Sequence, residues 1–460
     1  MTAGALARMV REAPQPDGGH GHHPAYQVLA HAVRTLILDG RISPRTKVPA
    51  ERELATALGM SRTTVTAAYD LLRREAFLES RRGSGTWTVS TAPQPQPVLR
   101  LVYGEADQID MARPILAGPS SENLARVLSE AAPLIAAHLS DAAPGRHPAG
   151  LPDLRAAVAE HYTCRGLPTT PDQIVMTGGP RAGMALATGL FCGSEDRVLV
   201  ENPTHPEALA VLRSRGLRLI PVPVGAALTS AFLQSVPRLA YLSAGYQVPT
   251  GTVLSAESRL EAADAARRAG TWLVADETAL EPALDGDGPE PFALGIPRAA
   301  ADQVIAIGAP TGTPEAGLHV GWIRTTVSAA AALARHQAAT GLGGSVLDQI
   351  VALDMLRRHD TVLAERRAAL RERRAALETV LARHLPQWSW RSPAGGVGLW
   401  ADTGRTGAAA LARRAAGAGL TIADGSRFGV DPGSFDQRLH LPYTLPPAVL
   451  AEAVRRLAAV

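Results

Sequence analysis

VPAERELATALGMSRTTVTAAYDLLRREAFLESRRGSGTWTV, residues Val48 to Val89, is the stretch from which the N-terminal architecture can be read. Leu54, Ala55 and Leu58 mark a short helix entered through Pro49 and Ala50 and stopped by Gly59, a residue suited to a left-handed helix end. A second helix opens at Ser61, whose hydroxyl can accept from a free first-turn amide. Its period predicts a buried face of Val65, Ala68, Tyr69 and Leu72, leaving Arg62, Thr63, Thr64 and Thr66 outward. From Phe77 to Val89 the chain alternates, breaks at Gly83-Ser84-Gly85 and alternates again, which predicts a two-stranded wing with Arg81 and Arg82 at its tip. Upstream, Val28, Leu29, Ala32, Val33, Leu36 and Ile37 fall on one stripe of a helix ending near Gly40.

Helix, tight turn, helix and basic wing, in that order, suit a DNA duplex. A recognition helix enters the major groove N-terminus first, where free amides and short hydroxyls meet phosphates and base edges. Arg62 can fork onto guanine, and Thr63, Thr64 and Thr66 can bond phosphate or touch a thymine methyl. Arg81 and Arg82 can neutralise further phosphates. Arg52, Ser61, Gly83 and Gly85 complete the set expected to face DNA. Charge agrees: the whole chain carries +3, while Pro24 to Ala92 alone holds a basic surplus of four.

The 460 residues exceed what one hydrophobic core organises, so several domains are expected. With 46% hydrophobic and 19% charged residues, the composition is that of a globular protein. No apolar run approaches the length that spans a bilayer and the first residues lack a signal-peptide pattern, so no membrane partner and a cytoplasmic location are expected. Cys164 and Cys192 have no metal or redox spacing and are read as packing thiols. The tract His20, His22, His23 belongs to a flexible tail over 1–23, and no metal ligands are assigned. A DNA-binding unit over 24–90 is followed by a semi-rigid, Pro-rich linker over 91–106. Beyond it, apolar runs such as DQIVMTGG, DRVLVENP, LAYLSAG, TWLVADET and QVIAIGAP alternate with amphipathic helices. That pattern predicts a mainly parallel, two-sided α/β sheet over 107–460, with a smaller α+β lobe from about 351 to 460.

The first unit resembles the winged helix-turn-helix module of the GntR regulators, on VPAERELA, SRTTV and GSGTWTV. It departs from the family run at Ala50, where a capping Ser is usual, and at Thr66, a frequent Arg. The second unit resembles a fold-type I aminotransferase on an ordered series of landmarks. These are GRHPAGLPDLRAAVAEHY, RGLPTTPDQIVMTGGPRAG, VLVENPTHPEAL, YQVPTG, VADETALE, IGAPTGTPEAGLHVGW and RLHLPY. The combination resembles the MocR subgroup, which implies operator DNA as partner, a head-to-tail homodimer and pyridoxal phosphate (PLP) in the second unit.

At the implied cofactor site the residues depart from the resemblance. The family's anchoring stretch aligns with Gly308 to Trp322, and its lysine falls on Gly312. Lys47 is the chain's single lysine against 45 arginines, and an internal aldimine needs an uncharged primary amine that glycine and arginine lack. The resemblance also places His319 where an Arg holds phosphate, Thr311 for a Ser, Thr278 for the ring-hydroxyl Tyr, His205 at the stacking position and His440 at the carboxylate-binding Arg. Arg438 lies two residues before His440, on the same face of a strand. Pro180, in Gly179-Pro180-Arg181, removes an amide from the phosphate turn. Asp276, the implied partner of the pyridine nitrogen, is kept, and Gln247 completes the candidate pocket.

No covalently held cofactor is therefore expected, while weak non-covalent binding of PLP through Asp276 stays open. The leading expectation is a regulator whose non-enzymatic second domain dimerises and senses an unidentified small molecule, for instance an anion met by Arg438, His319 or His440. A regulator with a purely structural second domain is the alternative. An aminotransferase-like enzyme is disfavoured because the lysine-dependent steps lose nucleophile and base together.

Overall fold

The computed structural model describes residues 1–12, 24–38, 42, 46–75, 77–81, 85–88, 108–114, 121–140, 147–226, 228–310, 318–341, 343–431 and 433–460. Side chains at 81, 121–124, 134 and 137–140 also lie outside the description. The chain forms two compact units, Met1–Gln108 and Ile109–Val460.

In the first unit, helices Ala25–Leu38, Glu51–Leu58 and Arg62–Arg74 bury Leu29, Val33, Leu36, Leu54, Val65, Ala68, Tyr69 and Leu72 in one core. Strands β1 (Leu78–Arg81) and β2 (Gly85–Thr88) pair antiparallel, with Leu78 opposite Thr88 and Arg81 opposite Gly85. A feature the sequence reading missed is that the Val48 amide donates to Thr86 and that of Thr88 to Thr46, laying the chain before Pro49 along the wing. The N-terminus also departs from expectation: Ala3–Glu12 is a helix, not tail. Leu6 and Ala7 enter the shared core because the stripe Leu6, Met9, Val10 needs an apolar cover. Arg11 donates to the Ala57 carbonyl at 2.7 Å, tying this helix down. Residues 13–23, with their histidines, and the linker 91–106 lie outside the described residues.

The second unit is built on a seven-stranded sheet. Its strands are β4 (Ile174–Thr177), β5 (Arg197–Asn202), β6 (Arg218–Pro223), β7 (Leu239–Ser243), β8 (Trp272–Asp276), β9 (Val304–Gly308) and β10 (Gly321–Arg324). Their order is β4-β10-β9-β8-β7-β5-β6, with β10 antiparallel to both neighbours and the pairings from β6 to β9 parallel. The central strands are buried end to end, as a sheet covered on both faces requires. Gly308 faces the Trp322 ring so closely that a Cβ would sit 2.4 Å from its Nε1.

A second sheet, ordered β11-β13-β12-β3, comprises β3 (Ile109–Met111), β11 (Gly398–Asp402), β12 (Leu420–Asp424) and β13 (Arg438–Pro442). β3 runs parallel to β12, Ile109 opposite Leu420, so the start of the unit is woven into its C-terminal part. The long helix His359–His384 buries Leu370, Leu377 and Leu381 against this sheet's core and Leu450 and Leu457. The lobe boundary expected near 351 falls inside the helix Val346–Arg357. That helix packs Ile350, Ala352 and Leu353 with Leu151, Leu154 and Val158 of the large lobe, so the break comes at Arg358. No helix among the described residues is long and apolar enough to cross a membrane.

Candidate functional site

The helix Arg62–Arg74 starts as its sequence requires: the Ser61 hydroxyl accepts from the Thr64 amide at 3.1 Å. Ser61 Oγ also lies 2.8 Å from Thr63 Oγ1 and 2.7 Å from Thr64 Oγ1, making a patch of three bonded hydroxyls at a helix N-terminus. Beside it, Arg62, Thr63 and Arg52 are exposed. Ala50 makes no side-chain cap for the preceding helix, and Glu51 and Glu53 in its first turn complement the dipole instead.

Thr66 departs from the expected outward set. Its hydroxyl donates to Glu51 at 2.7 Å, and Arg73 holds the other oxygen of the same carboxylate at 2.9 Å. Burial raises the Glu51 carboxyl, and those two bonds outweigh it and hold the group below the usual range. The cause is the neighbouring helix, which covers a position that the helical period alone leaves open. On the wing, the Arg81 backbone ends β1, whereas its side chain, Arg82 and Gly83 lie outside the described residues. Gly85 opens β2 at φ +96°, against the Lys47 side chain.

In the second unit the end of β5 meets the loop Gly425–Val430, the Asn202 side chain accepting from the Val430 amide at 3.1 Å. Asp276 ends β8 with both oxygens engaged: one accepts from the Tyr241 hydroxyl, the other from the Thr278 amide at 2.9 Å and hydroxyl at 2.6 Å. Burial and the Asp276 charge push the Tyr241 phenol well above its ordinary range, so it stays a donor. Nearby Glu201 on β5 accepts from the Ser243 amide at 2.8 Å, and burial raises its carboxyl to about 7. Gln247 is spent on the scaffold, donating to the Pro203 carbonyl at 2.7 Å and accepting from Thr250.

His205 caps the helix Pro206–Ser214, its Nδ1 accepting from the Glu207 amide at 3.2 Å. Its field reaches His440 on β13, which packs 5.2 Å from the Phe428 ring and beneath Gly398. Burial, reinforced by His205 and Arg427, pushes the His440 imidazole down to about 3, so it is neutral. Arg438 is paired with Asp402 at 3.0 Å, which takes up the charge expected to meet an anion. His319 is exposed, its amide donating to Asp348 at 3.3 Å. The helix Pro180–Phe191 begins with Pro180 at its first position, one amide short. Thr311 and Gly312 lie outside the described residues. The structure thus groups His205 with His440, and Asp276 with Thr278.

A second cluster escaped the sequence reading. His161, near the end of the helix Pro152–Cys164, Glu281, in the loop after β8, and His359, opening the long helix, bring their donor atoms within 4.8 Å of one another. Glu281 accepts from Arg165 at 2.5 Å and faces His359 Nε2 at 3.2 Å. Burial pushes the His161 imidazole down to about 4. Burial raises the Glu281 carboxyl, and the bond from His359 with the charge of Arg165 holds it below the usual range. Next to it Tyr162 donates to Glu277 at 2.6 Å and receives the Trp322 indole at 3.1 Å. Separations of this size in sequence carry no spacing signal.

Residues 107–457 match the family model "Aminotransferase class I and II", and residues 25–87 match "Bacterial regulatory proteins, gntR family". Among curated proteins, the chain is 29% identical over 392 residues to the probable rhizopine catabolism regulatory protein MocR of Rhizobium meliloti, covering 79% of this chain and 78% of that one. It is 26% identical over 472 residues to the HTH-type transcriptional regulator TauR of Rhodobacter capsulatus, covering 94% and 96%. Among solved structures, LysN, an α-aminoadipate aminotransferase of Thermus thermophilus, is similar at 25% identity and a TM-score of 0.66, covering 80% of this chain and 94% of that one.

Proposed function

Because the chain belongs to the class I and II aminotransferase family and carries a gntR-family region at its N-terminus, we propose that it is a DNA-binding transcriptional regulator whose aminotransferase-like domain is not an enzyme. Regulators named MocR and TauR, similar over most of their length, support the first half. The carrying observation is the exposed, Ser61-capped helix start bearing Arg62 and Thr63 next to a two-stranded wing. It presents free amides, hydroxyls and a guanidinium in the arrangement that reads a major groove.

The second half rests on the donor set at the cofactor position. Lys47, which belongs to the other unit, is the single lysine, so the second unit holds no lysine amine of its own for an aldimine with PLP. Asp276 already receives three hydrogen bonds, and the helix that faces phosphate in this fold lacks its first amide. These residues do not fit the cofactor, and a non-covalent complex would rest on Asp276 alone. We assign the domain to dimerisation and to sensing of a small molecule other than covalently held PLP, in a cytoplasmic protein. The scaffold-only alternative differs in having no ligand; a thermal-shift screen separates the two, since a ligand at a hundred times its Kd stabilises by about 2.7 kcal/mol.

The test is fluorescence anisotropy on duplexes selected from genomic DNA by the full chain. Arg62→Ala is expected to cost about 1 to 3 kcal/mol at the selected site and relax specificity, whereas Arg82→Ala weakens binding evenly and flattens its salt dependence. Unchanged binding by the double variant would remove the assignment.

A further inference from the structure

We propose that His161, Glu281 and His359 form a binding site for a first-row divalent transition metal ion, with zinc the best match. Two imidazoles and one carboxylate are ligands this class of ion prefers, and three protein ligands with a fourth position for water is a common zinc arrangement. It is the one group of this kind among the described residues.

The geometry carries the assignment. Nitrogen and oxygen ligands about 2.1 Å from a metal lie roughly 3.4 Å apart in a tetrahedron and roughly 3.0 Å apart in an octahedron. His359 Nε2 and Glu281 Oε1, 3.2 Å apart, already span one edge of such a polyhedron. The imidazoles of His161 and His359 meet edge to face with centroids 4.8 Å apart, so each can turn a nitrogen toward a common point. With the donor atoms within 4.8 Å of one another, bringing the widest pair to a tetrahedral edge takes at most about 1.4 Å of closure. A cavity of about 20 Å³ lined by His161, Arg165 and Glu281 adjoins the cluster and has room for the water in the fourth position.

Arg165 is the cation that otherwise sits on the carboxylate, so it competes with a metal for Glu281. Each ligand comes from a different part of the unit. His161 belongs to a helix of the large lobe, Glu281 to the loop leaving β8, and His359 to the first turn of the helix that carries the small lobe. An ion held there would clamp the two lobes together at their junction, which places metal availability upstream of the regulator proposed above; the site itself does not depend on that reading.

The experiment uses the full chain with His20, His22 and His23 replaced by alanine, which removes the competing tract. Equilibrium dialysis against Zn²⁺ alone, and titration with Co²⁺ followed by its visible d–d absorption, give stoichiometry and affinity. The expected result is one equivalent per chain, lost in His161→Gln/His359→Gln and weakened at least tenfold in Glu281→Gln, with circular dichroism unchanged. Arg165→Gln is expected to tighten Zn²⁺ binding severalfold, a gain that misfolding cannot produce. Absence of a saturable equivalent, an equivalent that survives the double histidine variant, or affinity unmoved by Arg165→Gln would overturn the site.

Discussion

At the scale of single residues, the proposed function turns on three positions that the aminotransferase resemblance implies for the site, and each acts through something absent. Gly312 offers no amine, Pro180 offers no amide, and His440 offers no charge. The last has a measurable consequence. An imidazole held neutral to about pH 3 in the fold but protonating at 6.5 when unfolded favours the unfolded chain in acid. Its effect on stability is nil above pH 6.5, grows as pH falls through the interval down to about 3, and changes no further below that. Within the interval one such group contributes a slope of at most about 1.4 kcal/mol per pH unit. Urea midpoints at pH 7.5, 6 and 5 should fall less steeply for His440→Leu than for the parent chain; parallel lines for the two would show that His440 does not titrate this way. Residue roles were legible where they depend on neighbours in sequence, as with the Ser61 cap and the missing cap at Ala50. They were illegible where a second element intrudes: Thr66 is taken by Glu51, Arg438 by Asp402, and Glu281 meets His359 from far along the chain.

Among elements, the recognition helix, the wing and strands β4 to β9 could be read because each announces itself locally, by a helical stripe, an alternation or a short apolar run. The exceptions share a physical reason. The three residues of β3 form a strand only because β12 supplies an edge, and the helix Ala3–Glu12 exists because Leu6 finds a core made by other helices. A 10-residue helix of this kind is marginal alone, and tertiary burial stabilises it. The long helix His359–His384 is the opposite case, an amphipathic rod whose Leu370 and Leu377, one heptad apart, are fully buried. Leu377→Ala should lower stability by about 2 to 5 kcal/mol, read as a shift in the urea midpoint of the full chain. A change below about 0.5 kcal/mol would mean that this helix does not anchor the small lobe.

For the whole molecule, the two units set two expectations. One winged helix covers too few base pairs for tight specific binding, so a homodimer on paired half-sites is expected. Light scattering at micromolar concentration should give twice the 48.1 kDa chain mass, and a monomer both with and without DNA would refute it. The purified protein should also yield no pyridoxyl adduct by mass spectrometry after borohydride reduction, and stoichiometric, saturable uptake of added PLP that alters operator affinity would restore the cofactor as effector. The pairing of β3 with β12 bears on a different matter, the order in which the chain is made. The DNA-reading unit is synthesised once the ribosome has passed Gln108, and among the described residues its core is built from residues of that unit. Ile109 must wait for Leu420, about 300 residues further on, which at ordinary synthesis rates is on the order of half a minute. During that interval a newly born chain holds a finished reading head while its other half is still without its second sheet.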